Sequence, residues 1–179
     1  LGKKAPPPRG LYLWGGVGRG KSMLMDLFHE CLAIPEKRRV HFHAFMIEVQ
    51  QRLHAARDQK KPEPLAPIAE AIAKEAWLLC FDEFHVYTIA DAMILGRLFE
   101  QLFQRGVVVV ATSNWAPDDL YKDGLQRDRF LPFIAVLKEK LDVLHLDSGV
   151  DYRLARMKSL EVYHHPLGPE ADRALDDAF

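Results

Sequence analysis

Residues 15–22 read GGVGRGKS, and this stretch decides the fold class of the chain. It fits the pattern G-x-x-x-x-G-K-[ST], in which a glycine-rich loop surrounds phosphate groups. The fixed positions of the pattern are occupied by Gly15, Gly20, Lys21 and Ser22. An apolar run at 11–14 precedes the loop, and apolar residues recur at helical spacing from Met23 onward. A strand, a glycine loop and a helix in this order direct backbone N–H groups and a helix N-terminus at an anion, whereas an ordinary glycine turn needs neither neighbour.

The residues of this loop have expected contacts with a nucleoside triphosphate. Gly15 opens the loop, and the backbone N–H groups that follow are expected to surround the phosphates: Gly16, Val17, Gly18, Arg19, Gly20 and Lys21. The Lys21 ammonium is expected to bridge the β- and γ-phosphates, and the Ser22 hydroxyl is expected to bind Mg²⁺.

Strand and helix signals alternate along the rest of the chain. Apolar runs predict strands at 11–14, 40–43, 77–81, 107–111 and 142–146. Helical spacing predicts helices between them, at 42–57, 65–76, 88–103, 118–124 and 130–141. Such alternation predicts an α/β fold with a parallel sheet covered on both faces. Ligands of these sheets bind at the carboxyl ends of the strands, so the functional residues are expected there.

Two carboxylates follow the third predicted strand. Asp82 and Glu83 come directly after the apolar run LLCF, and strand alternation points their side chains in different directions. Asp82 is expected to orient Mg²⁺, and Glu83 is expected to polarise an attacking water as general base. A solvated strand end is the alternative for an Asp-Glu pair alone, but the glycine loop upstream favours the functional interpretation.

The fourth predicted strand also ends in polar residues, at Thr112, Ser113 and Asn114. A polar side chain on this strand can reach the γ-phosphate or the attacking water. We predict Asn114 for this sensor role, with Thr112 or Ser113 as alternatives. A plain turn residue is the other interpretation, since asparagine is common where strands end.

Arg127 and Arg129 flank Asp128 just before a predicted helix. Surface arginines are usually solvated or in weak ion pairs. After a sensor strand, however, an arginine here can reach the γ-phosphate of a neighbouring subunit and stabilise charge that develops during transfer. Arg129 is slightly preferred, but the sequence does not separate the two.

Composition excludes several other classes of protein. The hydrophobic fraction is 49%, the charged fraction 27% and the net charge −1, so no global basic field indicates a nucleic-acid partner. No apolar run is long enough for a membrane span. Cys31 and Cys80 are expected to be small buried residues in a reducing compartment. His41 and His43 are expected to share one face of a strand, and without other ligands at metal spacing a zinc site is disfavoured.

With the loop, the acidic pair, the sensor and the arginines in this order, the chain resembles an AAA+ ATPase. More narrowly, it resembles the ZapE family, bacterial cell-division ATPases with mitochondrial relatives. The matching segments are GLYLWGGVGRGKSMLMDLF at 10–28, HFHAFM at 41–46, LCFDEF at 79–84, DAMILGRLF at 91–99, ATSN at 111–114, LYKDGLQRDRFLPFI at 120–134 and GVDYR at 149–153.

The resemblance implies a P-loop NTPase of AAA+ type, with a parallel five-stranded sheet in the order 5-1-4-3-2 and ATP rather than GTP as nucleotide. By the same match Lys21 and Ser22 take the nucleotide and magnesium roles, and the other predicted residues keep the roles given above. Residues 1–150 are expected to form the nucleotide-binding core, and 151–179 to begin a truncated C-terminal region. The C-terminal helical lid of the family, with its second sensor arginine, is expected to be missing.

The implied activity is hydrolysis of ATP at the γ-phosphate by a ring-forming homo-oligomer, such as a hexamer, that remodels protein partners. The bacterial family implies a cytoplasmic protein acting on the division protein FtsZ, and the mitochondrial relatives imply action on respiratory subunits. A DNA-linked helicase loader shares the ATPase core, although the charge balance disfavours a nucleic-acid partner. A P-loop kinase usually needs an arginine-rich lid over a second substrate, and no arginine cluster is visible in this sequence. A nucleotide-gated scaffold is also disfavoured, because it would not need Glu83, which is present.

Overall fold

A computed structural model describes residues 7–58 and 63–147. The strands are β1 (Gly10–Trp14), β2 (Lys37–His41), β3 (Leu78–Asp82), β4 (Val108–Ser113) and β5 (Leu141–His145). The helices are α1 (Lys21–Cys31), α2 (Phe42–Asp58), α3 (Leu65–Glu75), α4 (Ile89–Gln104) and α5 (Leu131–Lys140). Short 3₁₀ helices lie at Pro117–Asp119 and Arg127–Arg129.

The five strands form one parallel sheet in the order β2-β3-β4-β1-β5. This is the predicted order read from the other edge, and it confirms the predicted fold class. Trp14 at the end of β1 is in register with Ser113 at the end of β4, and His41 of β2 is in register with Asp82 of β3. The sheet register therefore brings the carboxyl ends of four strands to one edge.

Apolar packing on both faces explains why β3 and β4 were recognisable as strands. Every residue of β3 and β4 is buried. The larger apolar cluster lies under α2, α3, α4 and α5, and its centre is a group of aromatic rings: Phe42, Phe81, Phe84, Phe99 and Phe133. A smaller cluster on the other face joins Met25 of α1 to Leu78, Cys80, Val108 and Val110. Continuous apolar runs are what a doubly covered parallel sheet requires.

The helix α4 begins where the sequence predicted. The Thr88 hydroxyl accepts a hydrogen bond from the Asp91 backbone N–H at 3.1 Å and donates to the Asp91 carboxylate at 2.8 Å. This satisfies one of the N–H groups that a helix leaves unpaired at its N-terminus. Thr88 is therefore the N-cap residue of α4, and Asp91 lies in the first turn of the helix.

The prediction for the second strand was wrong in its position. β2 occupies 37–41 and α2 begins at Phe42, so His41 ends a strand and His43 lies in a helix. The two histidines therefore do not share a strand face. β2 lies at the edge of the sheet, where charged side chains are tolerated, so its Lys-Arg-Arg start is compatible with a strand.

Two further expectations were wrong. Cys31 is exposed, because Met25 is the residue of α1 that packs into the sheet while Leu24, Leu27 and Phe28 remain partly or largely exposed. The predicted helix at 118–124 is a single 3₁₀ turn followed by irregular backbone, in which Tyr121 has a φ of 54°. A positive φ in a residue with a Cβ is incompatible with a continuing right-handed helix.

In the described part of the chain, no helix combines the length and apolarity that crossing a bilayer requires.

Candidate functional site

A cavity of about 420 Å³ opens at the carboxyl edge of the sheet. It is lined by residues from three of the predicted groups: Val17, Gly18, Arg19, Gly20, Lys21, Ser22 and Met23 of the loop and α1, Asp82 and Glu83 at the end of β3, and Thr112, Ser113 and Asn114 at the end of β4. The fold thus brings together the loop, the acidic pair and the sensor candidates, although they lie far apart in the sequence.

The shape of the loop depends on glycine at two positions in particular. Gly20 has a φ of 80° and immediately precedes α1, in a left-handed conformation that residues with a Cβ rarely adopt. At Gly15 the constraint is space, since an added Cβ would lie 2.3 Å from the carbonyl oxygen of Leu146. The glycines therefore allow the sharp turn into the helix and the close approach to the segment after β5.

Lys21 is part of the loop's own hydrogen bonding. Its ammonium donates to the carbonyl oxygens of Gly15 and Gly16, at 2.7 Å each, and the residue is 8% exposed. The side chain thus folds back over the loop while it lines the cavity. Gly15 and Gly16 contact the lysine rather than lining the cavity themselves.

Ser22 and Asp82 both line the cavity and contact each other. The Ser22 hydroxyl donates to Oδ1 of Asp82 at 3.2 Å, over a separation of 60 residues. Asp82 is 4% exposed, and its Oδ2 accepts a hydrogen bond from Arg39 at 3.0 Å. The same Arg39 guanidinium forms an ion pair with Asp26 of α1, so it links β2, β3 and α1. A buried carboxylate is therefore held between a hydroxyl on one side and a cation on the other.

The donor set at Ser22 and Asp82 fits magnesium. Mg²⁺ takes oxygen ligands and is usually held by one or two protein groups together with the phosphates of its nucleotide. A hydroxyl and a carboxylate at the edge of a cavity match that requirement. Within 7–58 and 63–147, no group of three or more His, Cys, Asp or Glu residues could hold a metal ion on its own.

Asp82 and Glu83 point into different surroundings. The Glu83 side chain is 75% exposed, whereas that of Asp82 is 6% exposed, and both line the cavity. Glu83 has a φ of 55°, which turns the chain out of the β3 ladder. Its Oε2 lies 4.0 Å from Nδ1 of His41, at the end of the adjacent strand.

The three polar residues at the end of β4 differ in their environment. Thr112 is 2% and Ser113 1% exposed, and both hydroxyls bond to protein groups: Thr112 to Asp82, and Ser113 to the Phe84 carbonyl at 2.7 Å. Asn114 is exposed and lines the cavity. Of the three sensor candidates, Asn114 is thus the one whose side chain is accessible to a ligand.

Arg127 and Arg129 do not line the cavity. They lie in a 3₁₀ helix before α5, where an Arg127 Nη2 donates to the Asp118 carbonyl at 2.6 Å and Arg129 is exposed. The structure thus does not bring these arginines to the loop and acidic pair of their own chain.

Two titratable groups near the site are expected to remain neutral at pH 7. Burial raises the pKa of the Cys80 thiol, two residues before Asp82 on β3, to about 11. Burial also lowers the pKa of His85, which packs against Tyr87 and Trp115. Four charged residues line the cavity, namely Arg19, Lys21, Asp82 and Glu83, and Arg39 pairs with Asp82.

Sequence reasoning missed Arg39 and the internal contacts of Thr112. Arg39 stands in the run Lys37-Arg38-Arg39, which looks like a solvated surface segment when read alone. Its position beside Asp82 depends on the pairing of β2 with β3, where it is in register with Cys80. The sequence signal that could have identified Arg39 is its position just before His41, the residue that ends β2.

Three comparisons relate the chain to known proteins. The sequence model of the AFG1-like ATPase family matches residues 1–179. The chain is 50% identical over 173 residues to the cell division protein ZapE of Escherichia coli K12, covering 97% of this chain and 46% of ZapE. It is 48% identical over 187 residues to lactation elevated protein 1 homolog B of Danio rerio, covering 98% and 37%. The chain thus spans less than half the length of these curated relatives.

The fold has solved relatives as well. Domain III of the replication initiation protein DnaA from Thermotoga maritima superposes with a TM-score of 0.57, over 90% of this chain and 65% of that one, at 19% identity. At this identity the likeness shows the fold alone, which is the P-loop AAA+ fold. Because the family model covers every residue and half of the aligned residues are shared with ZapE, the chain belongs to the AFG1-like ATPase family.

Proposed function

We propose that this protein hydrolyses ATP at the γ-phosphate, with Mg²⁺ held between Ser22 and Asp82. The observation that carries the proposal is the 3.2 Å hydrogen bond from Ser22 to Asp82 at the edge of a 420 Å³ cavity. It joins the residue after the loop lysine to the carboxylate that ends β3. These are the two groups that magnesium needs beside a nucleotide.

The chain's own residues divide the work between binding and chemistry. Backbone N–H groups of the loop and the N-terminus of α1 bind the phosphates, and the Lys21 ammonium adds a positive charge. Ser22 and Asp82 would hold Mg²⁺, which when bound would neutralise charge on the phosphates. The exposed Glu83 carboxylate takes the proton of the attacking water, while Asn114 holds the water or a phosphate oxygen.

An arginine from a neighbouring subunit completes the site in this proposal. Neither Arg127 nor Arg129 lines the cavity of its own chain, so a role for either at a γ-phosphate requires a second copy. Arg129 is preferred, because it is exposed whereas Arg127 is engaged with Asp118. A ring such as a hexamer would place this arginine of each subunit beside the nucleotide of the next subunit.

The biological role proposed for the whole protein rests on its relatives. ZapE is named a cell division protein, and half of the aligned residues are identical. We therefore propose that ATP hydrolysis drives the remodelling of protein partners in division, with FtsZ as the bacterial client and the cytoplasm as the location. A eukaryotic member would act in the mitochondrion instead.

The test separates binding from hydrolysis. Lys21→Ala is expected to lose the binding of a fluorescent ATP analogue, because it removes the cation of the loop. Glu83→Gln is expected to bind ATP normally and to release phosphate at least about a hundredfold more slowly, the usual scale of positioned acid–base help. Lys122→Ala, at an exposed lysine paired with Asp119, is the matched control and should change neither quantity.

Two results would contradict the proposal. Unchanged ATP binding by Lys21→Ala would remove the loop from the nucleotide site. Near-normal phosphate release by Glu83→Gln would remove Glu83 from the base role. Consumption of ATP without release of free phosphate, only when a second small substrate is added, would instead indicate a P-loop kinase.

A further inference from the structure

Thr112 of β4 is bonded to three consecutive residues at the end of β3. Its hydroxyl donates to Oδ1 of Asp82 and accepts from the backbone N–H of Glu83 at 3.3 Å. Its backbone carbonyl accepts from the N–H of Phe84 at 2.7 Å. Thr112 is 2% exposed, so these contacts form away from solvent. A single side chain therefore contacts both members of the acidic pair.

The direction of these hydrogen bonds follows from the donors available. A hydroxyl carries one proton, and the Glu83 N–H can only donate. The Thr112 proton is thus left for Asp82, whose Oδ1 also accepts from Ser22 at 3.2 Å. Together the two hydroxyls and Arg39 on Oδ2 leave the Asp82 carboxylate little freedom to rotate.

The contact to Glu83 acts on the backbone. Glu83 has a φ of 55°, in the left-handed region that a residue with a Cβ adopts only when its surroundings hold it there. The hydrogen bonds from the Glu83 and Phe84 amides to Thr112 are such a restraint. They set the direction in which the Glu83 side chain leaves the strand.

We propose that Thr112 is a positioning residue that fixes Asp82 and Glu83 relative to each other through its hydroxyl. This inference rests on the proposed function, in which Asp82 holds the metal and Glu83 activates water. It differs from a sensor role, because the buried hydroxyl is already engaged with both residues and does not need to touch phosphate. Loss of the hydroxyl disturbs the metal ligand and the base together, while the loop that binds the phosphates keeps its own contacts.

Two pairs test the hydroxyl: the natural threonine against its isostere Thr112→Val, and Thr112→Ser against Thr112→Ala, which differ by the oxygen alone. In each pair the second member lacks the oxygen. Without it, kcat for ATP is expected to fall about ten- to a hundredfold, the usual cost of losing a group that orients a ligand, with KM changed less than about threefold. Thr112→Ser is expected to retain most of the wild-type kcat. ATP affinity in EDTA should be unchanged throughout.

A second readout needs neither ATP nor metal. Amide hydrogen exchange by NMR on the nucleotide-free protein is expected to be about tenfold faster at Glu83 in Thr112→Val and Thr112→Ala, the effect of losing one hydrogen bond. The Phe84 amide is an internal control, because its acceptor is the backbone carbonyl that every variant keeps. If Thr112→Val does not fold, the Ser and Ala pair makes the same comparison.

The outcomes separate this inference from the proposed function. Equal Glu83 exchange with and without the hydroxyl would overturn the inference, as would equal kcat within either pair. Loss of ATP binding in EDTA by Thr112→Val would also overturn it, because the residue would then act on the loop. A wild-type protein that does not hydrolyse ATP would refute the proposed function, while the exchange data would still test Thr112.

Discussion

Replacing Arg39 by methionine is expected to destabilise the folded chain by about 2 kcal/mol, within the range for a hydrogen bond to a charged group. The change removes the cation 3.0 Å from Oδ2 of Asp82, a carboxylate whose side chain is 6% exposed. It also frees Asp26, but that side chain is 46% exposed and the loss of its ion pair should cost little.

Two features of the structure set this magnitude. Removing one partner of a fully buried ion pair costs about 3–5 kcal/mol, because the other charge is left uncompensated. The cost here is lower, since the Arg39 side chain is 31% exposed and Asp82 keeps the Ser22 and Thr112 hydroxyls. Solvent and these donors together compensate part of the charge.

A double-mutant cycle measures the interaction itself. Urea unfolding of the wild type, Arg39→Met, Asp82→Asn and the double variant is expected to give a coupling free energy of about 1–2 kcal/mol. The same cycle on the exposed pair of Lys122 and Asp119 is the control, with an expected coupling below about 0.5 kcal/mol. A coupling at Arg39 and Asp82 no larger than that of the control would refute the view that Arg39 is the main counter-charge of Asp82.

The hydrogen bond from Arg38 lowers the pKa of the Glu48 carboxyl, so the stability it adds is present above the unfolded pKa and is lost as pH falls through the folded pKa. Glu48→Gln is expected to flatten the acid side of a plot of unfolding free energy against pH, and an unchanged acid slope would contradict this. Arg129→Ala is expected to keep the affinity for ATP but to lose the rise in turnover per subunit with protein concentration. If Arg127→Ala shows that behaviour instead, Arg127 rather than Arg129 is the arginine that reaches the neighbouring γ-phosphate.

The sheet could be predicted from the sequence where burial leaves a simple pattern. β3 and β4 are buried on both faces, so each is a continuous apolar run bounded by polar residues. The start of β2 was predicted three residues too late, because at the edge of the sheet its charged start is stable as a strand and carries no apolar signal. The irregular segment after Pro117–Asp119 was missed because the positive φ of Tyr121 leaves no mark in residue spacing.

The candidate site also contains residues that the sequence predicts and contacts that it does not. The loop, the carboxylates at the end of β3 and the polar end of β4 are each a short continuous stretch of sequence, so each was visible as a local motif. Arg39 reaches Asp82, and Thr112 reaches Glu83, only because β2 and β4 flank β3 in the sheet. The resemblance implied the strand order, but such contacts also depend on the register between neighbouring strands, which the spacing of residues along one chain does not specify.

The two carbonyl contacts of Lys21 have an energetic consequence for any anion that enters the loop. The two oxygens already satisfy part of the hydrogen-bonding capacity of the ammonium, so an incoming anion must share it with them or displace them. An anion that displaced either oxygen would gain only the difference between its own attraction to the ammonium and that of the oxygen. The contacts of Lys21 with Gly15 and Gly16 therefore limit the affinity that this ammonium can add for a bound anion.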